Sequence, residues 1–242
     1  MERINDLVGY KNLKIFQNND WFKFSLESVL LPCFVNISKN TNNILDLCTG
    51  NAPIPLILSI KTKAKIYGVE IQEDIYELAK KSIEINNLSN QIEIINDDVK
   101  NISNRFESDT FDIISCNPPY FKDIDTSKKN DDIHKIIARH EVNLTMEDIA
   151  KVVRKLLKND GKFYLVHRTE RFLELTNLLM SYNIMPKRVR FIYPKENSES
   201  NLFMLEAVKN GKYGMKLESP LYVHNDDGTY KDEILKMFNE GW

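Results

Sequence analysis

Ile44-Leu45-Asp46-Leu47-Cys48-Thr49-Gly50-Asn51-Ala52 joins a short apolar run to a loop that contains one acid and one glycine. A short apolar run bounded by turn-forming residues is typical of a buried strand, so residues 44–47 are predicted to be one. Pro53 and Pro55 favour a helix start directly after the loop, because their fixed φ suits the first helical turn. The stretch therefore predicts a strand–turn–helix unit, from which parallel α/β sheets are built.

The same alternation continues along the rest of the chain. Apolar runs predict strands at residues 44–47, 65–70, 92–95, 111–116, 162–166, 188–193 and 202–208. Helical periodicity lies between them at residues 54–59, 73–86 and 171–182, and in a helix that begins at Thr145 and stops at Asn159-Asp160-Gly161. The last two strands are joined by a polar loop without a helix, so they should pair antiparallel. The predicted fold class is α/β and Rossmann-like, with a seven-stranded, mostly parallel sheet that ends in an antiparallel strand and has helices on both faces.

Length and composition exclude several classes of protein. The chain has 242 residues, of which 42% are hydrophobic and 28% charged, as expected for a single α/β domain. It contains no apolar run long enough to span a membrane and no secretory signal, so we expect a cytoplasmic protein. Three cysteines and four histidines are scattered without metal-ligand spacing, so neither a disulfide framework nor a metal site is expected.

Charge is distributed unevenly along the chain. The net charge is −2, yet residues 120–195 hold sixteen Lys and Arg against ten Asp and Glu. This excess is compatible with a basic face that meets phosphates. Ordinary solvated charge on helices accounts for it equally well.

An acid lies near the carboxyl end of each of three successive predicted strands, either within the strand or just after it: Asp46, Glu70 and Asp98. The carboxyl ends of such strands form the ligand site of an open α/β sheet. A dinucleotide would need several glycines after the first strand, whereas this loop has only Gly50 and leads with an acid. Asp46 suits a cationic amino-acid group, Glu70 suits ribose hydroxyls and Asp98 suits an adenine amino group. Together they favour S-adenosylmethionine, although Asp97 is an equal candidate for the adenine contact and lone strand-end acids often cap helices.

Asn117-Pro118-Pro119-Tyr120 follows the predicted strand at residues 111–116. An aromatic or amide NH2 is a weak nucleophile, and it improves when two acceptors take its hydrogens. The Asn117 side-chain oxygen and the Pro118 carbonyl can be those acceptors, and the proline pair stiffens the turn that holds them. Tyr120 offers a ring on which a flipped base can stack. The sequence thus predicts methylation of an amino group, against the alternative of a plain Pro-Pro turn.

The flanking segments decide which proteins the chain resembles. Residues 138–141 (Ala-Arg-His-Glu), 166–171 (Val-His-Arg-Thr-Glu-Arg) and 186–191 (Pro-Lys-Arg-Val-Arg-Phe) closely resemble the bacterial tRNA adenine-N6 methyltransferases that modify A37 of valine tRNA. These are class I methyltransferases, and the resemblance covers almost the whole chain. Glutamine-N5 methyltransferases of proteins and guanine-N2 methyltransferases of rRNA share the four-residue motif or a variant of it. The former usually carry a helical substrate domain, for which the roughly forty residues before the first predicted strand are too few.

The resemblance implies roles for individual residues. It implies acceptor roles for Asn117 and Pro118, and cofactor contacts at Asp46, Gly50, Glu70 and Asp98. It further implies that an N-terminal segment of residues 1–40 packs on the cofactor site of the domain formed by residues 41–242. Within that segment, Gln17, Phe24 and Ser25 would close over the cofactor.

Two positions depart from what methyltransferases generally have in the first loop, which is glycine at both. Cys48 occupies one and Ala52 the other. Either the local φ is negative and a methyl group fits, or cofactor binding is weakened. The prolines that follow favour a negative φ at Ala52. A non-catalytic RNA-binding protein with a decayed cofactor site is the alternative that Ala52 motivates.

An RNA substrate requires cationic and aromatic groups near the reacting base. Candidates for phosphate contacts after the catalytic turn and further along the chain are Lys122, Lys128, Lys129, Arg139, His140, Arg168, Lys187 and Arg188. The segment Arg139-His140-Glu141 could equally form a local ion-pair network. A tRNA partner is therefore expected, with no membrane contact.

Overall fold

The computed structural model describes residues 2–7, 10–18, 25–119 and 144–239. The strands in these ranges are β1 (Glu2–Leu7), β2 (Tyr10–Asn18), β3 (Asn43–Leu47), β4 (Lys65–Glu70), β5 (Ile92–Asn96), β6 (Phe111–Cys116), β7 (Leu157–Arg168), β8 (Ile184–Tyr193), β9 (Leu202–Lys209), β10 (Lys216–Leu217) and β11 (Leu221–Tyr222). The helices are α1 (Glu27–Phe34), α2 (Pro53–Lys61), α3 (Glu73–Ile85), α4 (Met146–Leu156), α5 (Phe172–Ser181) and α6 (Asp232–Asn239).

The central sheet has nine strands, eight of them in the order β10-β8-β9-β7-β6-β3-β4-β5, with β11 also paired to β8. Strands β3 to β7 pair in parallel. Strand β9 runs antiparallel to both β7 and β8. The predicted α/β class, the seven long strands and the antiparallel pairing of the last two are confirmed. The two-residue strands β10 and β11 lengthen the sheet beyond the prediction.

Helices cover both faces of the sheet, and the strands alternate between two cores. Ile44 packs with α1, α2 and α3 on one face. Its neighbour Leu45 packs with α4 and α5 on the other. This alternation follows from the two-residue period of a strand. Helix α4 begins with a capping box formed by Thr145 and Asp148, and its apolar stripe is buried.

One predicted boundary is wrong. The sequence placed a turn at residues 159–161 between α4 and the next strand, but β7 runs from Leu157 to Arg168 without interruption. Asp160 takes a positive φ of 59°, and the pairing of β7 with β6 shifts register near that point. Leu157 pairs with Phe111 and Lys162 with Ile113, so the turn-forming residues form a bulge in the strand instead of ending it.

The N-terminal residues form a hairpin, β1–β2, that the sequence patterns did not predict. Strand β1 is exposed along most of its length, so it has no apolar alternation to signal a strand. Strand β2 buries Leu13 and Ile15 in the core that α1, α2 and α3 share. The hydroxyl of Tyr10 donates to the carbonyl of Met237 at 2.8 Å, which fastens the hairpin to α6.

The carboxyl ends of β3 and β6 meet at the point where the strand order reverses. Leu47 and Cys116 are register partners on these adjacent strands. The loop that begins at Cys48 and the turn that begins at Asn117 therefore leave the sheet side by side. In open α/β sheets this reversal point forms the ligand crevice.

Candidate active site

Asn117 leaves the end of β6 half-buried, followed by a buried Pro118. Its side-chain Nδ2 donates to the Oγ of Ser28 at 2.9 Å. Ser28 lies in the first turn of α1 and is 6% exposed. Because the amide nitrogen faces α1, the amide oxygen points to a different side of the group. Tyr120 lies outside the described residues.

Asp46 is fully buried at the end of β3. The hydroxyls of Thr49 and Ser115 donate to its two carboxylate oxygens at 2.7 and 2.6 Å. The pKa of Asp46 is raised to about 7. Burial is the main cause and the nearby charge of Glu70 adds to it, whereas the two hydrogen bonds lower the pKa. Asp46 has no exposed surface, so Thr49 and Ser115 lie between its carboxylate and the surroundings.

Glu70 ends β4 and binds the loop after β3. Its Oε2 accepts from the backbone N–H of Gly50 at 3.0 Å, and its Oε1 accepts from that of Gln72 at 2.9 Å. A carboxylate has about four acceptor sites, so hydroxyl donors can still be accommodated. Gly50 has φ +58°, and a Cβ built on it would meet no atom within 4 Å. The space beside this backbone is open, as a close-approaching ligand requires.

Asp97 and Asp98 follow β5 and have different partners. The carboxylate of Asp97 accepts from Arg105 Nε at 2.7 Å. Asp98 caps the 3-10 turn Val99–Asn104 by accepting from the backbone N–H of Lys100 at 2.9 Å. Asp97 therefore forms an ion pair with Arg105, whereas Asp98 caps the 3-10 turn at the edge of the site.

The prediction of a negative φ at Ala52 is wrong. Ala52 has φ 70° and ψ 36°, in the left-handed region, and Cys48 has φ 58°. Both positions thus adopt a conformation that glycine takes without strain and that costs other residues about 1–2 kcal/mol. Pro53 fixes its own φ and disfavours the right-handed helical region for the residue before it, and neither effect excludes a left-handed Ala52. The loop keeps its shape because Thr49, Glu70 and the start of α2 hold it from three sides.

A hydrogen bond joins the β1–β2 hairpin to this loop. Asn51 Nδ2 donates to the backbone carbonyl of Phe16 on β2 at 2.8 Å. Gln17, the next residue, is 8% exposed and accepts from Asn5 Nδ2 at 2.6 Å. Ser25 is half-buried just before α1. Phe24 lies outside the described residues.

The candidate RNA contacts are dispersed. Lys122, Lys128, Lys129, Arg139 and His140 lie outside the described residues. Arg168 is half-buried at the carboxyl end of β7, on the edge of the sheet where β3 and β6 also end. Lys187 lies near the start of β8, and its ammonium donates to the carbonyl of Lys212 at 3.1 Å.

Arg188 occupies a position that does not suit contact with RNA. Its side chain is 15% exposed and pairs with Glu206 and Glu218 at 2.8 and 3.1 Å. It also lies 3.8 Å from the centre of the Phe34 ring and donates to the Phe34 carbonyl. These contacts use the guanidinium within the fold. The charge of Arg188 was visible in the sequence, but its burial was not.

Sequence reasoning missed the hydroxyls of Ser28, Thr49 and Ser115. Each contacts a residue that was predicted to act. The spacing of Thr49 after Asp46 could have indicated a local turn contact. Nothing local to Ser28 or Ser115 signals such a contact, because their partners lie 89 and 69 residues away.

Other sites are not apparent in the described part of the chain. Two clefts of about 330 Å³ lie elsewhere, one around Asp227 and Lys231 and one around Asp112 and Lys158. Within the described ranges, no three side chains are grouped as a metal site would need. The helices in those ranges are too short or too polar to cross a membrane.

Comparison with known proteins gives relatives along nearly the full length. A protein of Bacteroides fragilis named tRNA1(Val) (adenine(37)-N6)-methyltransferase is 26% identical, over 96% of this chain and 95% of its own. A protein of Phocaeicola vulgatus with the same name is 27% identical, over 97% and 84%.

Solved structures share the fold at lower identity. A predicted O-methyltransferase from Agrobacterium tumefaciens superposes with a TM-score of 0.69 at 16% identity, covering 88% of this chain and 95% of that one. A geranyl diphosphate C-methyltransferase from Streptomyces coelicolor gives 0.58 at 6% identity, covering 76% and 77%. These names cover different acceptor atoms, so the fold by itself does not define the acceptor.

A family model described as the methyltransferase small domain matches residues 27–184. That match begins at α1, which contacts Asn117, and includes the whole loop after β3. The region that builds the crevice is thus the region that the family shares. The chain belongs to the methyltransferase small domain family.

Proposed function

We propose that this chain transfers a methyl group from S-adenosylmethionine to the N6 amino group of an adenine in tRNA. The adenine we propose is residue 37 in the anticodon loop of valine tRNA, as in the names of the relatives. One observation carries this proposal. The turn that begins at Asn117 lies beside the loop that begins at Cys48, because the two follow adjacent strands at the reversal point of the sheet. An acceptor and a methyl donor held there would be neighbours.

The first loop suits the methyl donor in charge and shape. S-adenosylmethionine supplies an electrophilic methyl group on a sulfonium, and its amino-acid part carries an ammonium. Among the described residues, the partners of the buried Asp46 carboxylate are hydroxyls and not cations, so it favours such a group nearby. Glu70 lies within reach of ribose hydroxyls, since it holds the backbone of Gly50, beside which the space is open. Asp98 is the residue we propose for the adenine amino group.

The Asn117 turn suits an amino-group acceptor. The side-chain oxygen of Asn117 and the carbonyl of Pro118 would accept the two hydrogens of the NH2 group. This directs the nitrogen lone pair at the methyl carbon. The nitrogen–carbon bond forms as the sulfur–carbon bond breaks, and a proton then leaves to solvent. Proximity and exclusion of water account for most of the acceleration, so no strong base is required.

The remaining predicted residues complete the proposal. Residues 1–40 would pack on the cofactor site, as the contact between Asn51 and Phe16 supports, with Gln17, Phe24 and Ser25 closing over the cofactor. Tyr120 would stack on the flipped adenine. Lys122, Lys128, Lys129, Arg139, His140 and Arg168 are proposed RNA contacts, and Lys187 is a more distant one. The site of action would be the cytoplasm, where tRNA is found.

Mass spectrometry of nucleosides from unmodified tRNA tests the proposal. After incubation with enzyme and labelled S-adenosylmethionine, the label should appear in N6-methyladenosine. It should vanish when adenine 37 of valine tRNA is replaced by guanine. Label in N2-methylguanosine from rRNA, or in a release factor with none in tRNA, would instead support the guanine or glutamine enzymes that share the motif.

A further inference from the structure

We infer that Ser28 is a positioning residue that sets the Asn117 amide in its reactive orientation. The inference rests on the proposed function, because it concerns the acceptor end of the same site. The Oγ of Ser28 accepts the Asn117 Nδ2–H at 2.9 Å. The bond joins residues 89 positions apart in the chain and links the turn after β6 to the first turn of α1.

An amide side chain has two unlike ends of nearly equal size. With the oxygen toward the substrate, Asn117 accepts a hydrogen from the NH2 group that is to be methylated. With the nitrogen toward the substrate, two donors face each other and the nucleophile is not activated. The reactive orientation requires an acceptor for the amide nitrogen, and Ser28 supplies one. Loss of that acceptor therefore weakens the preference for the reactive orientation.

Helix α1 makes Ser28 a fixed reference point. Val29, Leu30 and Leu31 are at most 1% exposed, so the helix is embedded in the core. Its carboxyl end is held by two cations. Lys61 Nζ donates to the carbonyls of Pro32 and Val35 at 2.9 and 2.7 Å.

Arg188 is the second cation at this end of α1, through the Phe34 carbonyl. Cations at a helix carboxyl end are favourable because they meet the negative end of the helix dipole. Helix α1 is thus held at its carboxyl end as well as along its buried face.

Steady-state kinetics of Ser28→Ala tests the inference. We expect kcat to fall about tenfold, consistent with loss of one buried hydrogen bond, while the KM for tRNA and the Kd for S-adenosylmethionine stay within about twofold. Ser28→Thr keeps the hydroxyl and should retain most of kcat. Ser59→Ala is the matched control, because Ser59 is 5% exposed but bonds only within α2, and its kcat should not change.

A double-mutant cycle separates positioning from packing. If Ser28 acts through Asn117, adding Ser28→Ala to Asn117→Ala should cause no further loss of kcat. Independent, multiplying losses would overturn the inference. A loss in Ser59→Ala equal to that in Ser28→Ala would do the same.

A readout without turnover distinguishes this inference from the proposed function. The side-chain NH2 resonances of Asn117, assigned by their absence in Asn117→Ala, should move upfield and exchange faster in Ser28→Ala but not in Ser59→Ala. If wild-type enzyme methylates another nucleoside, the proposed function fails while the ratio of variant to wild-type rates still tests Ser28. Unchanged Asn117 resonances in Ser28→Ala would overturn the inference whatever the acceptor is.

Discussion

Asp46 near the end of β3 and Glu206 in β9 are both buried carboxylates, yet their surroundings differ in charge. Glu206 is 7% exposed and lies 2.8 Å from Arg188 and 3.3 Å from Lys162. Burial alone raises the pKa of Glu206, but Lys162 and Arg188 more than offset this and hold it below its ordinary value. Burial raises the pKa of Asp46 to about 7, because its hydroxyl partners lower the pKa only in part and the nearby carboxylate of Glu70 adds to the increase.

The difference in nearby charge distinguishes Glu206, which we call the structural acid, from Asp46, which we propose as the functional acid. A buried carboxylate with cations beside it is neutralised within the fold and contributes to stability when the set is complete. A buried carboxylate without a cation is unfavourable in the protein alone, and it becomes favourable when a cationic ligand arrives. Such uncompensated acids are typical of functional sites.

The largest expected effect is on the structural acid. Glu206→Ala leaves Arg188 buried with one carboxylate partner fewer and should lower the free energy of unfolding by about 3–5 kcal/mol. Urea denaturation measures this. Glu174→Ala is the control, since its pair with Arg171 is 58% and 39% exposed and should cost at most about 1 kcal/mol. Equal losses in the two variants would remove the contrast between buried and exposed pairs.

Cofactor affinity should reveal the functional acid through its pH dependence. A cation favours the charged form of Asp46, so binding below pH about 7 must first remove a proton. The Kd for S-adenosylmethionine should therefore rise up to about tenfold for each pH unit below that value. Calorimetry between pH 5.5 and 8 measures it. The slope should be absent in Asp46→Asn, and a slope that persists there would assign the titration to another group.

Stability without cofactor should depend on Asp46 in the opposite sense to most acids. Its folded pKa of about 7 lies above the ordinary value of 3.8 for an aspartate. Its favourable contribution is therefore complete below pH about 4 and is lost as the pH rises to about 7. Asp112 should behave in the reverse way, since Lys158 and two backbone N–H groups lower its pKa despite burial. Relative to wild type, the urea midpoint of Asp46→Asn should change between pH about 4 and about 7, and that of Asp112→Asn should change in the opposite sense below pH about 4.

The smallest expected effect concerns the backbone of the same loop. Ala52→Gly relieves a left-handed alanine and should raise the free energy of unfolding by about 1 kcal/mol. Ala79→Gly, inside α3 and fully buried, should lower it by at least about 1 kcal/mol. Thermal denaturation of both variants measures the difference. A destabilised Ala52→Gly would mean that the alanine methyl contributes more through packing than its conformation costs.

The sequence predicted the long strands and the main helices because each has a strong local pattern. It also placed Asp46, Glu70 and Asn117 at strand ends, where chain topology alone brings them to one edge. It missed the β1–β2 hairpin, whose first strand is exposed and polar. It assigned Ala52 the wrong sign of φ, because that conformation is imposed by Thr49, Glu70 and α2 and not by the prolines that follow.

Arg188 and Ser28 show most clearly where local sequence stops being informative. In the sequence, Arg188 is one cation in a basic stretch, and Ser28 is a small polar residue before an apolar run. Only the packed structure makes Arg188 a partner of Glu206 and of α1, and Ser28 a partner of Asn117 across 89 residues. The sequence by itself determined the order of strands and helices and the chemical groups at their ends, since these depend on periodicity and residue type. The tertiary structure decided which of these groups are neutralised, oriented or left without a cation, because hydrogen bonding and burial depend on neighbours that are distant in the chain.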